Sequence, residues 1–279
     1  MSCDAACQNR SASGSSAAGC AGAGVVMAGR TTKLMVASYN VHRCLGRDGR
    51  HDPGRVAKVI EELQAVVIAL QEVDCRYHVR RGVDQLQFLA EATGMQSVWG
   101  PVLYGPRGQY GNGLLTRHEV VAVRSIDLSV PRHQRRGALD VDLAVHGTRI
   151  RVIAAHLGLG LNERQLQVRH LLKALADHDE QPLILLGDFN EWRPPSGALR
   201  RLHRQFGRTP GRRSFPSNFP LLALDRIWVQ PRSALVALDV HTSHWARRAS
   251  DHLPVRAEIT GLWDRRAAAR DDRRRSAAG

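Results

Sequence analysis

The chain has 279 residues, a hydrophobic fraction of 43% and a formal net charge of +14. Its length suits one large domain or two small ones, and its apolar content is that of a globular protein. No apolar run approaches the ~20 residues that a membrane-spanning helix needs, which excludes an integral helical membrane protein.

The excess of basic residues predicts a polyanionic partner, although part of it is explained by a compositional bias towards arginine. Only three of the 40 basic residues are lysines, and arginine forms forked contacts with phosphate. We expect nucleic acid as the partner, with anionic phospholipid as the alternative. The five cysteines are odd in number and show no paired C-x-x-C spacing. They argue against a disulfide framework or a zinc site and for a reducing compartment, so we expect a cytoplasmic protein. We also expect it to be a monomer.

Two compositionally biased tails are predicted to flank one folded domain. Residues 1–32 are rich in Ala, Gly and Ser, and residues 264–279 are rich in Arg and Ala, so both are predicted to be disordered. No linker interrupts the region between them, and we therefore assign residues 33–263 to a single domain.

The first half of this domain begins with a strand at 34–40 that ends in Asn40. Asp52 and Asp84 each precede an amphipathic pattern and are predicted to cap a helix. Gly147 indicates the turn of a hairpin. Further strands are predicted at 65–70, 97–104, 111–116, 120–130, 138–145 and 148–156.

The second half begins with a helix, for which Asn162 is the predicted cap. The continuous apolar run at 183–186 is typical of a strand buried on both faces. A short helix is expected near Ala198. Late strands are predicted at 222–229, at 233–240 and in the segment that begins at 250.

The strands fall into two sets, and helices flank them. This order predicts an α+β protein built as a four-layer α/β/β/α sandwich. Two packed, mainly antiparallel sheets form its centre, and the helices cover the outer faces.

Polar residues stand where the apolar runs begin or end, so a two-sheet fold can bring their side chains together on one rim. They are Asn40, Glu72, His156, Asp188, Asn190, Asp225, Asp251 and His252. Carboxylates dominate this set and no Cys/His cluster is present, which favours a hard cation such as Mg²⁺ or Mn²⁺. Purely structural roles are the alternative for some of these residues. Asp188 and Asn190 could form an Asx turn, and His156 could be a core histidine that is hydrogen-bonded to the backbone. Five other histidines lack such a context and are interpreted as surface residues: His42, His51, His78, His118 and His133.

Seven short motifs occur in an order that resembles the endonuclease/exonuclease/phosphatase superfamily. They are SYN at 38–40, LQEV at 70–73, GNGLLTR at 111–117, AAHLG at 154–158, GDFN at 187–190, LDRIWV at 224–229 and SDHLPV at 250–255. The superfamily includes deoxyribonuclease I, AP endonucleases, bacterial sphingomyelinases and inositol-polyphosphate 5-phosphatases. The resemblance covers about residues 34–260.

For the metal, the resemblance implies that Glu72 is the principal ligand and that Asp251 lies beside the ion. It also implies that Asn40 helps to hold the metal and the phosphate. Mg²⁺ or Mn²⁺ is the expected cofactor.

For catalysis, the resemblance implies that Asp188 orients or deprotonates the attacking water and that Asn190 donates to a phosphoryl oxygen. His252 would contact the phosphate or move protons, with Asp225 bonded to one ring nitrogen. His156 would face the leaving group. On this interpretation the phosphate lies between His252 on one side and Asp188 with Asn190 on the other.

Two features refine the expected substrate. AP endonucleases usually carry a lysine soon after the LQEV-type strand end, whereas Asp74 and Cys75 follow here, which disfavours abasic-site repair. Arg136 lies in a basic segment before a predicted strand and either contacts a substrate phosphate or belongs to a solvated loop.

The predicted function is a metal-dependent phosphodiesterase that uses activated water, first of all a nuclease acting on DNA or RNA. The alternatives are a phospholipid head-group phosphodiesterase, a phosphatase acting on a small phosphorylated metabolite, and a catalytically silent nucleic-acid-binding domain. A phospholipid substrate calls for exposed apolar loops, which the sequence does not reveal.

Overall fold

The computed structural model describes residues 33–75, 84–105, 108–176, 181–193 and 196–262. The predicted tails and His78 lie outside the described residues. The strands are β1 (Lys33–Asn40), β2 (Val67–Cys75), β3 (Gln96–Gly105), β4 (Gly108–Thr116), β5 (Glu119–Asp127), β6 (Gly137–Val145), β7 (Thr148–His156), β8 (Leu183–Asp188), β9 (Asp225–Gln230), β10 (Leu235–Val240) and β11 (Val255–Thr260). The helices are α1 (Pro53–Leu63), α2 (Gln85–Thr93), α3 (Leu161–Ala174), α4 (Gly197–Phe206) and α5 (Ala246–Ala249), with 3₁₀ turns at His42–Cys44 and Arg232–Ala234.

The strands form two sheets, as the sequence predicted. The six-stranded sheet has the order β10-β11-β1-β2-β4-β3, and the five-stranded sheet has the order β5-β6-β7-β8-β9. Only the pairs β1–β2 and β7–β8 are parallel, and the remaining pairs of these two sheets are antiparallel.

Three apolar clusters define the layers. One lies between the sheets and contains side chains from both, such as Val36 and Ile184. The second joins the six-stranded sheet to α1 and α2, and the third joins the five-stranded sheet to α3 and α4. The four-layer α/β/β/α sandwich is therefore confirmed.

Strand β8 lies between β7 and β9 in the five-stranded sheet and is buried along its whole length. Ile184 and Leu186 face the other sheet, whereas Leu183 and Leu185 belong to the cluster under α3 and α4. This alternation explains the continuous apolar run, because both faces of the strand are covered.

The predicted caps of α1 and α2 are correct, since Asp52 accepts a hydrogen bond from the backbone N of Arg55 and Asp84 accepts one from Gln87. The predicted cap of α3 is wrong. That helix begins at Leu161 after Gly160, whose backbone N donates to Glu163, so Asn162 lies inside the first turn. The strand predicted at 222–229 begins only at Asp225, because residues before it form a separate bridge between Phe215 and Leu222.

None of the helices within the described residues is both long enough and apolar enough to cross a membrane.

Gly187 allows β7 and β8 to approach each other at the end of the parallel pair. Its φ is +150°, and a Cβ at this position would lie 1.9 Å from the carbonyl oxygen of Ala155. Only glycine fits there without displacement of backbone.

We expect Gly187→Ala to lower the free energy of unfolding by more than ~3 kcal/mol, because the clash is with backbone of the neighbouring strand. Gly147→Ala is the control, since its φ is +77° but nothing lies within 4 Å of the added Cβ. That substitution should cost only ~1 kcal/mol of backbone strain. Urea-induced unfolding measures both, and equal losses would contradict the proposed close approach.

Candidate active site

Three candidate residues stand in one row across adjacent strands of the five-stranded sheet. Asp188 at the end of β8 is the register partner of His156 in β7 on one side and of Asp225 in β9 on the other. All three side chains are buried. The sheet register therefore brings together residues that are as far apart in the chain as positions 156 and 225.

The six-stranded sheet contributes Asn40 and Glu72. Asn40 ends β1, and its Nδ2 donates to Glu72 Oε1 at 3.2 Å and to Asp188 Oδ2 at 3.0 Å. Its Oδ1 accepts a hydrogen bond from the backbone N of His42 at 3.0 Å. This orientation directs the amide nitrogen, rather than the oxygen, towards the carboxylates, so Asn40 positions them across the two sheets.

A β-bulge places Glu72. The β2–β4 register shifts between Leu70 and Val73, and Glu72 adopts a φ of +59° within the strand. An extra residue in one strand bends it and re-aims a side chain, which is why bulges recur next to active sites. Sequence periodicity alone places Glu72 at the end of the strand, whereas β2 continues beyond it to Cys75.

His252 is held by the predicted partner. Its Nδ1 lies 2.9 Å from Asp225 Oδ2, which also accepts a hydrogen bond from Ser214 Oγ at 2.5 Å. The Phe215 ring packs against the imidazole with its centroid 4.9 Å away. The other ring nitrogen, Nε2, lies 3.8 Å from Asp188 Oδ2.

This last distance corrects the expected placement of the phosphate. Asp188 and His252 are too close for a phosphate to fit between Asp188 Oδ2 and His252 Nε2. The reason is that Asp188 and Asp225 are register partners, so the imidazole bound to Asp225 lies beside Asp188.

The two buried imidazoles have opposite pKa shifts. Burial and the Arg136 guanidinium lower the pKa of His156 to about 3. Burial opposes protonation of His252 as well, but Asp225 and Asp188 outweigh it and raise the pKa of His252 to about 10. One cleft thus holds a neutral imidazole and an imidazolium.

Arg136 is buried and faces the site. Its Nη1 lies 3.4 Å from His156 Nδ1, and its Nε has no hydrogen-bond partner. Because a guanidinium only donates, His156 Nδ1 is the acceptor, and the proton of the neutral ring is on Nε2. Among the described residues Arg136 forms no ion pair with a carboxylate. Asn112 of the GNGLLTR motif holds the adjacent backbone, since its Nδ2 donates to Gly137 O at 2.8 Å.

Asn190 follows Asp188 in the turn after β8. Its backbone N donates to Asp188 Oδ1 at 2.9 Å, which is the Asx-turn contact expected from the sequence. Its Nδ2 donates to Leu157 O at 2.9 Å, so one of its two amide hydrogens is engaged by the loop after β7.

Glu72 and Asp251 are two carboxylates of the cleft that form no ion pair with lysine or arginine in the described part of the chain. The cleft that both line has a volume of about 640 Å³. His42, interpreted from sequence as a surface residue, is half-buried and brings Nδ1 to 3.7 Å from Asp251 Oδ1.

A second group also has a ligand-like arrangement. Ligand atoms of Asp188, Asp225 and His252 lie within 4.8 Å of one another. However, His252 Nδ1 already donates to Asp225, and an imidazolium offers no lone pair to a metal. The Asp225–His252 pair in this protonation state is therefore poorly suited to binding a metal.

Sequence reasoning missed several residues of the cleft. Tyr110 lines it, and burial followed by the charge of Glu72 raises the pKa of its phenol. Arg164 on α3 donates to buried Glu191 at 3.2 Å and to Leu159 O at 2.5 Å, and so supports two loops of the site. Ser214 lies in an irregular segment, where no pattern in the sequence indicates its contact with Asp225.

Comparison with known proteins agrees with this fold. The family model described as Endonuclease/Exonuclease/phosphatase family matches residues 37–252. The uncharacterized protein YbhP of Escherichia coli strain K12 is 34% identical over 221 residues, which cover 72% of this chain and 85% of YbhP.

Solved structures share the architecture. The endonuclease/exonuclease/phosphatase from Beutenbergia cavernae DSM 12333 superposes with a TM-score of 0.65 at 24% identity, covering 82% of this chain and 71% of that chain. The human nocturnin catalytic domain with bound sulfate anion gives a TM-score of 0.62 at 21% identity, covering 81% and 93%. At these identities the likeness establishes the fold.

The sandwich and its rim of carboxylates and imidazoles define a phosphoesterase fold. With the family match over most of its length, the chain belongs to the endonuclease/exonuclease/phosphatase family, whose members hydrolyse phosphoesters.

We expect neither His156 nor His252 to titrate between about pH 5 and pH 8 in the metal-free protein, for opposite reasons. His156 should remain neutral because its pKa of about 3 lies below this window, and His252 should remain protonated because its pKa of about 10 lies above it. NMR chemical shifts of the ring nuclei in a chelator-treated sample measure both states.

Asp225→Asn should bring the His252 transition into the window by removing the nearest charge. A neutral His252 in the unsubstituted protein at pH 7 would contradict the assigned pair.

Proposed function

We propose that the protein is a divalent-metal-dependent hydrolase of phosphodiesters that acts through an activated water. The observation that carries this proposal is the position of Asp188 between two imidazoles, one neutral and one protonated. Its Oδ2 lies 3.7 Å from Nε2 of neutral His156 and 3.8 Å from Nε2 of His252. A carboxylate beside one neutral and one charged donor suits proton transfer from water next to a developing phosphoryl charge.

The residues of the chain have distinct roles in this proposal. Asp188 orients the attacking water and accepts its proton, while Asn40 and the backbone of Asn190 hold the carboxylate in place.

His252 donates from Nε2 to the phosphoryl oxygen on which charge develops, and Asp225 keeps the ring charged and oriented. His156 donates from Nε2 towards the leaving-group oxygen. Asn190 contributes the amide hydrogen that Leu157 does not engage.

Glu72 and Asp251 would hold Mg²⁺ or Mn²⁺ on the open side of the cleft. When bound, such an ion supplies Lewis-acid stabilisation of the phosphoryl charge and lowers the pKa of a coordinated water.

Cationic side chains of the cleft support an anionic substrate. Arg43, Arg136 and Arg193 line it, and the formal charge of the whole chain is +14. We propose that buried Arg136 contacts a substrate phosphate, because its Nε lacks a protein partner. The sulfate bound by the nocturnin catalytic domain is consistent with anion binding on this fold.

These charges suit nucleic acid, as predicted from the sequence, and equally suit an anionic phospholipid. A catalytically silent binding domain is disfavoured, because such a protein has no need of a hydrogen-bonded set that joins both sheets.

A substrate panel with and without Mg²⁺ tests the proposal. It contains plasmid DNA, RNA, sphingomyelin, phosphatidylglycerol, inositol phosphates and the soluble diester bis(4-nitrophenyl) phosphate. Hydrolysis of at least one diester that requires the ion is expected, and its absence throughout would overturn the assignment.

Glu72→Gln should nearly abolish this turnover and weaken the apparent Mg²⁺ affinity, because it removes the charged ligand from a hard-cation site. Glu61→Gln, which changes an exposed glutamate on α1 in the same way, is the matched control and should leave both unchanged. Identical Mg²⁺ titrations for Glu72→Gln and the unsubstituted enzyme would remove Glu72 from the site.

Asp225→Asn should lower kcat by ~10²–10⁴-fold with little change in KM, since it removes positioned acid–base help without removing a substrate contact. His252→Ala should cost at least as much. The double variant should be barely worse than His252→Ala alone, because both residues act through one imidazole. Fully additive losses would refute the pairing.

A further inference from the structure

Large exposed apolar side chains occur in the cleft lining and in a loop that adjoins it. Ten large hydrophobic side chains are exposed among the described residues, and five of these form what we call the apolar rim: Leu159, Leu161, Trp192, Phe219 and Leu221. Leu159 is 75% exposed, Phe219 67% and Leu221 52%. Exposed apolar side chains grouped beside a cleft mark an interaction surface rather than ordinary surface variation.

Two structural supports project these side chains outwards. On one side, Arg164 donates to the carbonyl oxygens of Gly158 and Leu159 and so holds the LGLGL segment at 157–161. On the other, the segment 215–222 folds back on itself, with the backbone N atoms of Leu221 and Leu222 donating to Phe215 O at 2.8 Å. Phe215 and Leu222 line the cleft, so Phe219 and Leu221 belong to a loop that begins and ends at the cleft.

Two arginines adjoin the apolar rim. Arg193 lies 5.0 Å from the Trp192 ring centroid, and exposed Arg247 donates to the carbonyl oxygens of Ser217 and Asn218 next to Phe219. The segments 157–161 and 215–222 contain no charged residue. Glu191, beside Trp192, is buried against Arg164 and offers no exposed negative charge. Apolar side chains next to arginines are the combination that binds the interface of anionic bilayers.

The composition of the apolar rim favours lipid over single-stranded nucleic acid. Recognition of unpaired bases depends on aromatic side chains that stack against them. Three of the five rim residues are leucines, which have no π face but insert readily among acyl chains.

We propose that the apolar rim is a membrane-docking surface for anionic phospholipid bilayers. Its position at the cleft mouth would bring lipid head-group phosphates to Arg136, His156 and His252. The substrate class that follows, a phospholipid phosphodiester, rests on the proposed function, whereas docking itself does not.

Vesicle binding by the full chain tests docking. The vesicles contain phosphatidylcholine and phosphatidylglycerol, and chelator is present so that turnover plays no part. We expect co-sedimentation that rises with the phosphatidylglycerol fraction. The double variant Phe219→Ser/Leu221→Ser should bind roughly tenfold or more weakly, because it removes two apolar side chains from the bilayer.

The matched control is Val123→Ser/Val236→Ser, which changes two exposed apolar residues on the edge strands β5 and β10, outside the cleft lining. It should bind vesicles as the unsubstituted protein does. Thermal unfolding checks that each variant is folded, and Leu159→Ser replaces the rim double variant if that variant unfolds.

Four results would overturn docking: no vesicle binding, equal binding by all variants, equal losses in rim and control variants, or a rim-dependent loss confined to single-stranded DNA. Mg²⁺-dependent hydrolysis of bis(4-nitrophenyl) phosphate is measured separately. If it persists while vesicle binding is absent, docking fails and the proposed function stands.

Discussion

The side-chain amide of Asn40 is the contact on which the rest of the site depends. It donates to Glu72 in one sheet and to Asp188 in the other, and the backbone of His42 fixes its orientation. Two carboxylates brought together at the end of a buried core repel each other, and a shared donor offsets that repulsion. Through this amide, the packing of the two sheets determines the geometry of the candidate active site.

Two histidines of the same candidate active site differ in charge. His156 lies beside a guanidinium and remains neutral, whereas His252 lies between carboxylates and remains protonated. Residues with such divergent pKa values, side by side in a cleft, are typical of sites that divide acid and base roles. The division arises from the neighbours, because both imidazoles are buried to a similar degree.

The cleft has two chemically different zones. Its floor is polar and buried, and it suits a phosphate and a divalent ion. Its mouth carries exposed leucine, phenylalanine and tryptophan side chains next to arginines. Under the proposed membrane docking, a substrate that is both anionic and apolar would contact both zones.

The sequence by itself determined the two-sheet fold class and the doubly buried strand β8, because both follow from hydrophobic periodicity. It also determined the helix caps at Asp52 and Asp84 from capping patterns, and the candidate site residues from the order of the motifs. The tertiary structure alone decided how the residues meet. Strand register placed His252 beside Asp188 instead of across a phosphate from it, and turned Arg136 towards His156. The apolar rim could not be predicted from the sequence either, because the sequence of a loop does not indicate whether its leucine side chains are buried or exposed. Register and exposure depend on contacts between distant segments, which no local pattern specifies.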